Sequence, residues 1–371
     1  MRMERNFGAT APYTVGVEEE LQLVDPTSLA LVPAIDAVLA ASHTAKLPED
    51  SIASELSASC VEVRSPVYGT VAELAAELPV LRRRLRDLVE GCGARLAAAG
   101  AHPFSKATAQ QITGKERYRR VDKEMGWPAR MQAIYGLHVH VAVPDEEHAI
   151  RAVAALSRCV PLFVALSANS PFWEAEDTRL ASVRTKVFGL MPRSALPPAF
   201  RAWEDFEGFV DALVTAGSIP DYSLCWWDAR PHPRFGTVEL RAPDMQTEAH
   251  RSASLAALAQ CIVATADEHP PEDPLFTGEN KWRATRYGLE ARLYDFSMGR
   301  DTSARQTARD LVKRLRPVSQ DLGCETELDG ILEISESETG ADRQRAVFEK
   351  HGSLKDVVEH LVAETAFKAA C

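Results

Sequence analysis

Two hydrophobic periods run through this chain, and they sort it into elements. Alternating apolar and polar positions predict strands at Tyr13–Val24 (YTVGVEEELQLV), Cys60–Arg64 (CVEVR), Ile134–Val143 (IYGLHVHVAV) and Gly236–Arg241 (GTVELR), each followed within two residues by a proline. Leu224–Trp227 reads as a further short strand. Apolar residues three and four apart predict helices over Pro33–Ala41, Thr70–Ala98 (with Pro79 as a break or kink), Trp203–Thr215 and Glu248–Asp267. Another helix opens at Asp145, runs to Arg158 and continues through Val160–Ala168 until Asn169-Ser170-Pro171 breaks it. Thr178–Pro198, with its prolines and glycine, reads as loop, and Arg179–Leu196 within it is a candidate cover segment. Arg230–Arg234 (RPHPR) also reads as loop, because its two prolines cannot donate to a ladder. From about residue 275 the pattern is helical to the end, apart from the polar stretch Ser335–Asp342. Strands far apart in sequence with helices between them predict an α+β fold: a curved, mainly antiparallel sheet with helices on one face. Residues 270–371 would be a mostly helical C-terminal part packed on the same body.

Composition narrows the partners. The 371 residues carry 42 Lys and Arg against 53 Asp and Glu, a net charge of −11, with 46% hydrophobic and 26% charged residues. These proportions belong to a globular protein with a large core. The acidic balance argues against nucleic acid, whose phosphates demand clustered cations. No apolar run is long enough to predict a membrane span, and the first eleven residues lack the apolar stretch of a secretory signal. Seven scattered cysteines without a CxxC predict reduced thiols and a cytoplasmic setting. Neither GxGxxG after the first strand nor GxxxxGK[ST] is present, so any nucleotide must be held in another way.

The strand-like segments repeat one chemical device. Glu18 and Glu20, His138 and His140, Glu62 and Arg64, and Glu239 and Arg241 are i, i+2 pairs, and Glu55 lies seven residues before Glu62. Residues two apart in a strand share a face. Their neighbours Val17, Leu21, Leu137, Val139, Val141, Val238 and Leu240 would then face the helices. Taken alone, Glu62/Arg64 reads as a solvated face. Several acids and an imidazole gathered on one face repel unless cations lie among them. Carboxylates predominate, which favours Mg²⁺ or Mn²⁺; the HxH taken by itself also fits a zinc hydrolase. Arg230, His232, Arg234 and Arg241 cluster within a dozen residues, Arg179 and Arg184 follow Asn169-Ser170-Pro171, and Arg117, Arg119 and Arg120 flank Tyr118. Guanidinium forks suit phosphate and carboxylate. Acids, metal and converging arginines together point to phosphoryl transfer.

Several segments in order carry a family resemblance: VGVEEELQ at 15–22, ELSASCVEVRSP at 55–66, GAHPF at 100–104, GLHVHV at 136–141, DTRLASVR at 177–184 and WDARPHPRFGTVELRAPD at 227–244. The chain resembles the bacterial carboxylate–amine ligases of the type 2 glutamate–cysteine ligase family, over most of its length and most loosely after about residue 270. The resemblance implies a glutamine synthetase-like catalytic fold over residues 1–371 as one catalytic domain. It implies ATP, Mg²⁺ or Mn²⁺, and an amide bond formed between glutamate or a similar carboxylate and cysteine or another amine through an acyl phosphate. It implies Glu18, Glu20, Glu55, Glu62, His138 and Glu239 as metal ligands and His140 and Arg241 facing the transferring phosphate. It places Arg184, Arg230, Arg234 and Arg241 on the nucleotide, with Arg184 and Arg234 alternatively on the acceptor carboxylate and Arg234 also in catalysis. A homodimer is expected on the same ground. Glu19 would point to the packed side of the sheet, where nothing in the sequence accounts for it. A ligase for a different amine, or a guanidino kinase-like phosphotransferase, is the competing expectation.

Overall fold

The sheet is organised around one long strand, β1 (Val15–Val24), in a computed structural model that describes residues 3–45, 48, 51–268, 273–296 and 299–365. The other strands of this seven-stranded sheet are β2 (Ile52–Ser54), β3 (Cys60–Arg64), β4 (Arg95–Ala97), β5 (Leu137–Ala142), β10 (Ala229–His232) and β11 (Thr237–Leu240). Their order is β10-β11-β5-β1-β3-β2, with β4 paired to the end of β1, and every pairing is antiparallel. Two small sheets lie outside it: β6 (Phe172–Trp173) with β7 (Glu176–Asp177), and β8 (Ser194–Ala195) with β9 (Trp226–Trp227). A hairpin, β12 (Arg292–Asp295) and β13 (Arg300–Ser303), interrupts the C-terminal helices. The helices are α1 (Ile35–Thr44), α2 (Val71–Gly91), α3 (Glu116–Met125), α4 (Trp127–Arg130), α5 (Glu146–Ser167), α6 (Val183–Phe188) and α7 (Trp203–Thr215). They continue as α8 (Ala249–Ala264), α9 (Pro274–Tyr287), α10 (Ala304–Asp321), α11 (Glu325–Glu336), α12 (Gly340–His351) and α13 (Leu354–Thr365).

Alternation along the strands divides the sheet into two chemistries. Val15, Val17, Leu137, Val139, Val141, Val238 and Leu240 join one apolar core with residues of α2, α5 and α8, and Ala284, Leu311, Leu328 and Ile331 of the C-terminal helices extend that core. Leu21 and Leu23 enter a neighbouring apolar cluster. Helix α2 starts at a capping box, in which Thr70 accepts from the Glu73 amide and the Glu73 carboxylate accepts from the Thr70 amide. The 22-residue α5 is long and apolar enough to cross a bilayer, but most of it is buried inside the protein, among the core helices.

Four expectations need correction. Arg230–Arg234 is not all loop: residues up to His232 form β10, and Pro231 fits because β10 is the outermost strand, with one side unpaired. The helix expected over Thr70–Ala98 runs through Pro79 but ends at Gly91, and Arg95–Ala97 pairs with Gln22–Val24 instead; that tertiary pairing overrides the helical preference of an Ala-rich stretch. The loop expected over Thr178–Pro198 contains α6, started by the Ser182 hydroxyl accepting from the Thr185 amide. The hairpin β12–β13 was hidden in the helical C-terminal pattern; Asn280 of α9 pins it, exchanging hydrogen bonds with the Tyr294 main chain at 2.7 and 2.8 Å. Among the described residues six cysteines are free thiols, and Cys371 lies outside them.

Candidate active site

Strand register assembles the polar pairs into rows on the face away from the helix-packed core. Glu239 of β11 stands opposite both Arg230 of β10 and His140 of β5. Glu18 of β1 stands opposite His138 of β5 on one side and Arg64 of β3 on the other. Glu20 faces Glu62. Paired strands lie about 5 Å apart, so each row is in side-chain contact. A cavity of about 580 Å³ lies over these rows and is lined by all of the predicted site residues: Glu18, Glu20, Glu55, Glu62, His138 and Glu239, and also His140, Arg184, Arg230, Arg234 and Arg241. Its size is in the range of small-molecule sites.

Two compact groups of ligand-type atoms occupy one wall. Oxygens or nitrogens of Glu18, His138 and Glu239 lie within 4.8 Å of one another, as do those of Glu20, Glu55 and Glu62. Glu55 comes from the segment after β2, and the Tyr118 hydroxyl, 3.1 Å from both Glu55 Oε1 and the Ser54 carbonyl, fastens it there. The solvated reading of Glu62/Arg64 is overturned, since Glu62 is only 2% exposed and pairs with Arg64 inside the wall.

Burial presses each of these carboxyls toward its neutral form, and neighbours decide the outcome. At Glu18, the His138 hydrogen bond and the nearby His140 imidazole, whose Nε2 lies 3.8 Å away, overcome burial and hold the group well below the usual carboxylate range. At Glu239, the charges of Arg230 and Arg241 do the same. At Glu62, the charges of Glu18 and Glu55 add to burial and push it well up. Glu20 is raised chiefly by burial, against the pull of His138. The all-carboxylate group is therefore short of positive charge. Three converging oxygens in that state fit a hard divalent cation such as Mg²⁺ or Mn²⁺ better than zinc. The Glu18–His138–Glu239 group is more nearly neutralised already. Arg230 Nε lies 2.7 Å from one oxygen of Glu239, and Arg241 pairs with the other.

The cationic groups are interleaved with these acids and preorganised. Arg184 is buried and donates to the carbonyls of Ala242 (3.1 Å) and Arg241 (3.0 Å). It reaches them across Gly136, where a Cβ would come within 2.1 Å of its guanidinium. Nε of Arg184, Nε of Arg241 and Nε2 of His140 are buried, with no hydrogen-bond partner among the described residues. Such orphaned donors suit an anion. Arg230 is anchored by the Ser223 and Cys225 carbonyls at 3.0 and 2.9 Å. Arg234 is more exposed, in the turn between β10 and β11, where Gly236 takes a φ of +66°. His232 stacks on Phe235 (4.2 Å between centroids) and meets His140 and Tyr222 edge-on, making an aromatic end wall. Burial pushes the His232 imidazole down to about 3, so it is neutral there.

Three parts of this arrangement escaped the sequence. Tyr118 was seen only as the residue between arginines. Asp244 accepts from Asn169 N, Ser170 Oγ and Ser182 Oγ at 2.7–2.9 Å, and so ties α5 to the start of α6. Glu19 does face the packed side and is fully buried; Arg82 grips both its oxygens at 2.6 and 2.7 Å, and Ser252 Oγ donates at 2.7 Å. The signal for Arg82 was present, for it falls on the buried stripe Val71, Leu74, Leu78, Leu85 and Val89 of α2.

Known proteins align with this chain throughout. A protein of Rubrobacter xylanophilus named "Putative glutamate--cysteine ligase 2-3" is 67% identical over 98% of the chain and all of its own length. A Thermobifida fusca relative, named "Putative glutamate--cysteine ligase 2", is 39% identical over 98% of the chain and 93% of its own length. Among solved structures, the Francisella tularensis glutamate–cysteine ligase in complex with AMP superposes with a TM-score of 0.69 at 14% identity, over 97% of this chain and 90% of that one. The bifunctional glutathione synthetase of Pasteurella multocida gives 0.71 at 13% identity, over 96% of this chain and 52% of that one. These structures share the predicted fold. The family model for glutamate–cysteine ligase family 2 matches residues 14–360, and the chain belongs to that family.

Proposed function

We propose that the protein is an ATP-dependent carboxylate–amine ligase that joins glutamate, or a similar carboxylate, to cysteine or another amine. The observation that carries this reading is one cavity lined both by cation-seeking carboxylates and by buried guanidinium and imidazole nitrogens. Two anions, a polyphosphate and a carboxylate, must meet there in an acidic protein, and neither set of groups alone would allow it. A carboxylate oxygen attacks the γ-phosphorus of ATP and ADP leaves; the amine then displaces phosphate from the acyl phosphate. Glu20, Glu55 and Glu62 would hold one divalent ion, and Glu18, His138 and Glu239 a second. When bound, such ions screen the phosphates and polarise them. Arg241 and Arg184 orient the phosphoryl oxygens with their unpaired Nε–H donors, and His140 Nε2 completes that set. Arg230 keeps Glu239 ionised and aimed into the site. Arg234, in the β10–β11 turn, meets the nucleotide or the acceptor carboxylate at the cavity mouth.

The test is product analysis. Purified protein with ATP, Mg²⁺ or Mn²⁺, glutamate and a panel of amines should release ADP and free phosphate, with a mass equal to the amide. Phosphate retained on the acceptor would instead identify a guanidino kinase-like phosphotransferase. Absence of ADP with every pair would reject both.

A further inference from the structure

Glu19 lies between two site carboxylates yet points the other way, and what holds it also holds the segment that follows Arg241. Its carboxylate receives Arg82 Nε and Nη2 from α2 and Ser252 Oγ from α8. The same guanidinium donates through Nη1 to the Thr247 carbonyl at 2.6 Å and through Nη2 to the Gln246 carbonyl at 3.0 Å. Arg82 and Glu19 are both buried. Residues 244–247 are in turn a junction. Asp244 binds Ser182, the cap of the helix that carries Arg184, and Arg184 binds the carbonyls of Arg241 and Ala242 just upstream. Thr247 Oγ1 donates to the Ala98 carbonyl, and Gln246 Nε2 to the Ser167 carbonyl. One side chain therefore spans β1, which presents Glu18 and Glu20, and the segment that follows Arg241 and holds α6, the helix of Arg184, through Asp244.

We infer that Arg82, through Glu19, is a positioning residue that sets β1, and with it Glu18 and Glu20, against the segment that follows Arg241. A buried ion pair is weak grounds for stability, because desolvation offsets its attraction and an apolar pair can replace it. Its geometry is more informative. Nε reaches Glu19, Nη1 reaches the Thr247 carbonyl and Nη2 reaches both segments, an arrangement an ammonium cannot reproduce. With Lys in its place Glu19 would still be compensated in charge, but the link to the 246–247 carbonyls would be lost. Strand β1 would be free to shift by tenths of an ångström, and the ligand oxygens on its other face would shift with it. Groups hydrogen-bonded directly to a metal ligand typically contribute about 10–100-fold in metal affinity; Arg82 acts one step further out, through the strand, so the lower end of that range, about tenfold, is expected.

This inference rests on the metal-binding part of the proposed function, and the experiment separates the two. Mn²⁺ alone is titrated into the full-length protein and the free ion followed by electron paramagnetic resonance, with thermal unfolding recorded in chelator. Wild-type protein that takes up no Mn²⁺ would reject the metal reading itself. Given wild-type uptake, Arg82→Lys should bind Mn²⁺ about tenfold more weakly. A stability-matched variant far from the site, Ile331→Val or Ile331→Ala in α11, should retain wild-type affinity, as should Arg84→Lys on the exposed side of α2. Should Arg82→Lys fail to fold, the apolar pair Glu19→Met with Arg82→Met provides the same comparison. Wild-type Mn²⁺ affinity in a folded variant that lacks the fork, or equal weakening in the Ile331 control, would overturn the inference.

Discussion

At the scale of single residues, the site depends on side chains whose charge and shape both matter. Arg241 pairs with Glu239 through one nitrogen and leaves its Nε–H buried and free. A lysine could still neutralise Glu239 but would not offer the second, fixed donor. Arg241→Lys should therefore fold normally and lower ATP turnover by about 100-fold, the usual loss when one preorganised donor to a transition-state oxyanion is removed. Steady-state ADP release measures this, and unchanged kinetics would remove Arg241 from the phosphate. Much of this scale could be read in advance. The i, i+2 pairs declare a common strand face locally, whereas Glu55 sits outside any strand and could be placed only by resemblance. The partner of Glu19 was only half legible: the apolar stripe of α2 singles out Arg82 among the four arginines at 82–86 as the inward one, but nothing local says that this helix packs under Glu19.

Among elements, the decisive contacts are those that bring a helix or a hairpin to the edge of the acidic rows. Helix α6 delivers Arg184 because β5 begins just after Gly136, where the absence of a side chain lets the guanidinium lie against the main chain. In Gly136→Ala the new methyl group would displace a guanidinium already tied to two carbonyls. The apparent KM for ATP should rise about tenfold or more, with a stability loss of about 1–3 kcal/mol from overpacking. Initial-rate kinetics and urea unfolding check both, and a silent substitution would show that Arg184 need not lie there. The elements misjudged in the sequence share one cause. Strand β10 is allowed its proline by being outermost, and β4 forms because the end of β1 needs a partner. Both facts belong to tertiary placement, which a local pattern does not encode.

For the whole molecule, stability and function make different demands on its ionisable groups. Away from the site, His102 is buried and fixed as a neutral imidazole: Nε2 lies 2.9 Å from the Leu29 carbonyl, and Nδ1 accepts from the amides of Phe104 and Ser105 at 3.3 and 3.0 Å. Burial lowers it from 6.5 to about 4. Between those values the unfolded chain takes up a proton that the native state refuses, so stability falls as pH falls through that window. From pH 7 to 4.5 this imidazole alone should cost about 2–3 kcal/mol. Urea unfolding across that range should show a steeper pH dependence in wild type than in His102→Gln; parallel curves would contradict the assignment. At the site the molecule instead gathers carboxylates that repel one another, a cost its arginines and histidines offset in part and bound cations would relieve further. The central claim is that these cations join the acidic wall to a triphosphate. Calorimetric titration of ATP into the wild-type protein, with saturating Mg²⁺ and again with excess EDTA, tests it most directly. Affinity should collapse by at least about 100-fold in EDTA, since the uncompensated acids would then repel the phosphates. Equally tight ATP binding in the two buffers would contradict it.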